Sequence, residues 1–140
     1  MLHAALIFCL TMGATPAAST RVTSIPAPVG LEAKLIDDAQ HNRLDASKLL
    51  EASLIASGVP DAEVASEAKR VRAALAPAIA RAKTQRTARQ RGAVLLQALH
   101  ETVFRTYVVA ATEIDGVERT GEYNCLSSAV LFVVAADGLL

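Results

Sequence analysis

At 140 residues the chain can bury one core of ordinary size and is too short for two comfortable ones. Alanine fills 28 positions, while aromatic residues make up 4% and tryptophan is absent. Alanine is the best helix former and sheets draw on aromatic and β-branched residues, so this balance argues for helices. The 14 basic and 14 acidic residues cancel, which excludes a global field that would draw in nucleic acid or an anionic membrane.

The opening "MLHAALIFCLTMGATPAAST" reads as a signal peptide over residues 1–19. An apolar run from Ala4 to Met12 is followed by small residues, and Ala17-Ala18-Ser19 offers a cleavage site before Thr20. The run falls well short of the roughly 20 apolar residues a spanning helix needs. An exported protein, periplasmic or extracellular, with no membrane span after signal removal is therefore expected. The n-region offers only His3, with no Lys or Arg, which leaves a buried N-terminal helix or a displaced start codon as alternatives. Cys9 leaves with the signal, so Cys125 is the one cysteine of the mature chain. One cysteine cannot form an internal disulfide, and a lone thiol in an oxidising compartment must be buried or used.

Residues 20–30, with Pro26, Pro28 and Gly30, predict an extended linker. Residues 31–140 then read as one helical domain. Leu31, Leu35, Leu49, Leu50 and Leu54 mark helix from Leu31 to Ser57, with a break near His41 and Asn42 after which Asp45 can cap the second part. Gly58 and Pro60 end it. The next helix opens at Asp61, and Val64, Ala68, Val71 and Leu75 form its buried stripe. Pro77 is expected to kink or break it before helix resumes over 78–83. A third helical pattern runs from Thr84 to about Thr112, with Val94, Leu95, Ala98, Leu99, Val103, Tyr107 and Val108 on its apolar face. From Glu113, "EIDGVERTGEY" is a polar connection. The last helix, 124–137, takes Asn124 as its cap and is stopped by Gly138. It is apolar all round, which predicts burial on all sides. No sustained alternation of period two precedes residue 113, so the expected fold is mainly α, with four to five helices.

Capped by Asn124, Cys125 is the first residue of that last helix. Unpaired amides and the helix dipole at such a position favour a thiolate, the nucleophile that cysteine-dependent acyl transfer needs, with a histidine supplied from elsewhere. The alternative is a small buried apolar residue, as free cysteine often is. His100, in "QALHETVF", follows Leu99 and reads as a histidine at the boundary of the buried face; Thr102, Val103 and Phe104 exclude a zincin HExxH motif. His41 falls in the helix break, where solvent surrounds it. Two histidines and one cysteine do not make a protein-only structural zinc site, and no cofactor or metal is expected. Arg81, Lys83, Arg86, Arg89 and Arg91 spread around the helix without an interleaved aromatic residue. They suit a solvated, partner-facing or anion-facing surface better than nucleic acid.

"GEYNCLSSAVLF", from Gly121 to Phe132, followed by "AADGL" from Ala135, resembles the cysteine-helix motif of the transglutaminase-like superfamily in its bacterial branch. Upstream, "LLEASLIASGV" and "LLQALHETVFRTY" look like the helical lead-in of such proteins. The resemblance implies an α+β, papain-like fold of which this chain is the helical N-terminal part, truncated before its sheet. It also implies a cysteine-dependent amide hydrolase or acyl transferase acting on a protein or peptide. Cys125 matches the nucleophile, Asn124 its cap, and Tyr123 a neighbour lining the substrate cleft. Ser127 and Ser128 read as small packing residues, and Arg119 and Glu122 as solvated loop charges. In the superfamily the histidine and the acidic residue lie on strands after the cysteine helix, and no such strand follows here. The chain as given is therefore expected to be inactive alone. A rival from another class is a non-enzymatic helical binding or scaffold module of the cell envelope, in which Cys125 only packs.

Overall fold

The computed structural model describes residues 26–140; the expected signal peptide and the first part of the expected linker lie outside the described residues. Within them the chain is mainly α, with six helices and one two-stranded parallel pairing. In order these are α1 (Gly30–Gln40), α2 (Ala46–Ala56), α3 (Asp61–Lys83), α4 (Ala88–Thr102), β1 (Thr106–Tyr107), α5 (Val117–Thr120), β2 (Glu122–Tyr123) and α6 (Cys125–Ala136).

The break after α1 falls where His41 and Asn42 predict it. Asn42 takes the left-handed φ of 54°, which a short polar side chain tolerates. Asp45 then caps α2, its carboxylate accepting the Lys48 amide at 3.2 Å.

Two expectations about the middle of the chain need correction. Of the kink or break expected at Pro77, the break does not occur: α3 runs on from Asp61 to Lys83. Pro77 lies on the exposed side, as does Ala73, whose carbonyl loses its intrahelical donor, so water can satisfy the freed group. The pattern from Thr84 to Thr112 is helix only over α4. Its start is fixed by a capping box in which the Thr87 hydroxyl accepts the Gln90 amide at 3.2 Å and the Gln90 side chain accepts the Thr87 amide at 3.3 Å. Its end comes where Thr106, Tyr107, Val108 and Val109 favour extended backbone. There β1 pairs with β2 in the register Thr106 to Glu122 and Tyr107 to Tyr123. Tyr107 is consequently exposed, not on a buried helical face.

Helices α2, α3, α4 and α6 close around the core, with α6 laid across the other three. Leu50, Leu54, Leu75, Leu95, Leu99 and Leu131 are all fully buried. Each contributes on the order of 1.5–3 kcal/mol by leaving water. Ile114 and Val117 join them, so the connection from Glu113 is more than a polar link: it folds inward through α5. The expectation for α6 is overturned as well. Ser127, Leu131 and Ala135 are its buried residues, while Leu126 and Val133 stay 55% and 46% exposed. One face of α6 has three helices to pack on, and the outer face has no cover among the described residues. No helix among them is long and apolar enough to cross a membrane.

Candidate active site around Cys125

The start of α6 is built by its cap. Asn124 is buried in extended conformation, and its Oδ1 accepts the amides of Leu126 at 2.9 Å and Ser127 at 3.0 Å. Its Nδ2 donates to the Val109 carbonyl at 3.0 Å. The Ser127 hydroxyl accepts the Asn124 amide at 2.9 Å and donates to the Ala111 carbonyl at 3.0 Å. Ser127 is thus more than a small packing residue: fully buried, it completes the capping box and stitches the loop at 109–111 to the helix end. Ser128 reads closer to expectation, its hydroxyl donating back to the Asn124 carbonyl at 2.7 Å.

Cys125 is exposed and does not belong to the core formed by the described residues. The Ser128 amide goes to the Asn124 carbonyl at 3.0 Å, and Asn124 Oδ1 takes the two amides before it. Among the first-turn amides of α6, the one left without a hydrogen-bond partner among the described residues is that of Cys125 itself. The next side chain, Leu126, opens with Ser53, Thr112, Ile114 and Val130 onto a cleft of about 410 Å³ between α2 and α6.

Upstream, Gly121 turns the chain into β2 with φ of 73°. Its carbonyl accepts the Arg105 amide at 2.8 Å and the Thr106 amide at 3.0 Å, and a Cβ there would lie 2.7 Å from the Arg105 stem. Both the backbone and the neighbour therefore demand glycine. Tyr123 is half-buried, with ring centroids 5.0 Å from Phe104, 5.5 Å from His100 and 5.7 Å from Tyr107. His100 is exposed and meets Phe104 and Tyr123 edge-on, as a boundary histidine should. It shares no hydrogen bond with Cys125. The described residues bring Cys125, Asn124 and Tyr123 to one corner but assemble no Cys–His pair.

Arg119 is exposed, as a solvated charge should be, but it is also anchored. It pairs with Glu67 at 3.1 Å and with Glu118 at 2.9 Å. Glu67 is buried on α3 and also pairs with Arg70, so one carboxylate fastens α5 to the body of the fold. Glu122 is exposed, as a loop charge should be. In the basic run, Arg81 pairs with Glu101, and this contact, with a smaller one from Gln97, holds the Glu101 carboxyl below its ordinary range. Arg91 is half-buried and donates to the Leu139 carbonyl at 2.6 Å, tying α4 to the segment that follows α6. No group of three His, Cys, Asp or Glu side chains among the described residues could hold a metal ion.

No family model, no curated protein and no solved structure matches the chain.

Proposed function

We propose that this chain is the cysteine-bearing, helical part of an exported transglutaminase-like protein, with Cys125 as a nucleophile toward an acyl group of a protein or peptide. The observation that carries the reading is the exposed thiol at the first position of a capped helix. In the reaction the sulfur attacks the acyl carbon and the carbonyl oxygen takes the negative charge. The amine departs with a proton, leaving a thioester on Cys125 for water or a second amine to resolve. Asn124 occupies two of the first-turn donors, so the Cys125 amide is the one positioned to receive the oxyanion. Tyr123 and Asn124 directly precede Cys125, and the cleft beside Leu126 offers room for the acyl chain.

The exposed apolar side of α6, with Leu126 and Val133, suits cover by the sheet that the resemblance places beside this helix. That sheet carries the base and its acidic partner in the superfamily. Because the described residues pair no histidine with Cys125, the 140-residue chain is expected to accept an acyl group without turning over. Intact-mass analysis after exposure to an activated acyl ester should show one adduct, on Cys125, formed at least about tenfold faster than on free cysteine at the same pH, and none in Cys125→Ala. Acylation no faster than free cysteine would overturn the nucleophile. Steady turnover that is lost in Cys125→Ala would overturn the inactivity of the isolated chain.

A further inference from the structure

Helix α1 is attached unlike any other long helix of this fold. Its single buried residue is Asp38, and none of its apolar side chains reaches the core. Leu31 and Ile36 remain 36% and 40% exposed. The seam with α2 has gaps on both sides. One is a cleft of about 340 Å³ where Leu35, Ile36 and Ala39 face Ala52, Ile55 and Ala56, and the other is a smaller one of about 100 Å³ beside Asp38. What spans the seam is charge. Asp38 Oδ2 accepts from Lys34 and from Lys48, each at 2.9 Å, and Oδ1 accepts from the Arg43 Nε at 3.0 Å. Lys34 lies on α1 itself, Arg43 in the turn and Lys48 on α2, so the one carboxylate joins three successive segments. Arg43 also reaches Asp37, and the Leu31 amide donates to Asp61 Oδ2 at 2.9 Å at the far end.

From this we infer that α1 is a strap latched to α2 by the carboxylate of Asp38, able to lift as a unit while α2, α3, α4 and α6 stay folded. A helix held by apolar burial leaves only when the core opens. One held by a shared carboxylate leaves when that carboxylate is lost, because three cations are then left side by side with only Asp37, which reaches Arg43, to offset them. Lifting bares Ala52 and Ile55 of α2. Added salt weakens the latch, though less than it weakens a fully exposed pair, because Asp38 is shielded from ions.

Hydrogen exchange of the full chain followed by mass spectrometry tests the latch. In Asp38→Asn the amides of residues 34–40 should exchange more than about tenfold faster, with α3 and α4 amides unchanged. Lys48→Met, which removes the one partner from α2, should give a smaller acceleration confined to the same amides. Unaltered exchange in α1, or acceleration of α1 only in step with α3 and α4, would show that the helix is part of the body; a variant that fails to fold at all would show the same.

Discussion

The first and last helices of the described chain are nearly the same length, 11 and 12 residues, and are held by opposite means. Helix α6 offers the body Leu131 and Ala135, both buried, and closes its own start with Asn124 and Ser127. Helix α1 offers it a carboxylate. Apolar burial is non-directional and shared among many contacts, so α6 cannot leave without opening the core. The latch of α1 is directional and depends on a few atoms. The contrast shows that helical content and firmness of attachment are separate properties, and that the candidate nucleophile sits on the firmly attached helix.

The strongest blow to this contrast comes from the buried side of α6. Leu131→Ala should destabilise the whole domain by about 2–5 kcal/mol, the range for deleting a fully buried leucine side chain. Urea unfolding followed by circular dichroism measures it, and one cooperative transition shifted to lower denaturant is the expected form. A separate early transition with α3 and α4 intact would mean that α6, too, is only strapped on.

Next in size is the cap. Asn124→Ala should cost about 1–2 kcal/mol, since it frees the Leu126 and Ser127 amides and releases the Val109 carbonyl. The same change should slow acylation of Cys125, because the first turn that positions it frays. Stability read by urea and acylation read by mass should therefore fall together. Loss of stability with acylation unchanged would detach the cap from the proposed chemistry.

That cap was legible in the sequence, as was Asp45, because each lies immediately before an apolar helical pattern and its chemistry is local. Thr87 and Gln90 carried an equally local signal, but a helix begun at Thr84 places them inside its first turns and hides the true start. The early end of α4 was also written in Thr106, Tyr107, Val108 and Val109, residues better suited to extended backbone. Other features had no local signal. Glu67 meets Arg119 across 52 positions, and only the tertiary fold brings them together. Nor could the apolar outer face of α6 announce its exposure, since hydrophobicity favours burial but does not supply the surface that would do the covering.

Acid separates the two ends by mechanism. Lys34, then Lys48 and Arg43, hold the Asp38 carboxyl well below the usual carboxylate range. A carboxyl depressed in the folded state stabilises fully above its unfolded pKa of about 3.9 and loses that contribution as pH falls through the folded value. Attachment of α1 should therefore be unchanged from neutrality down to about pH 4 and weaken only in stronger acid. Amide chemical shifts of α1 should move in that range in the wild type. In Asp38→Asn they should already differ at neutral pH.

The smallest effect is expected on the outer face of α6, where Val133 is nearly half exposed. Val133→Ser should cost no more than about 1 kcal/mol, well below Leu131→Ala, because nearly half of the side chain is already in water. Sedimentation should at the same time show less self-association, since the substitution interrupts a contiguous apolar strip with Leu126 and Ala129. If the apolar strip served the fold of these residues, the loss would approach that of Leu131→Ala. A small cost would instead mark the strip as a surface kept apolar for something that lies against it, on the same helix that presents Cys125.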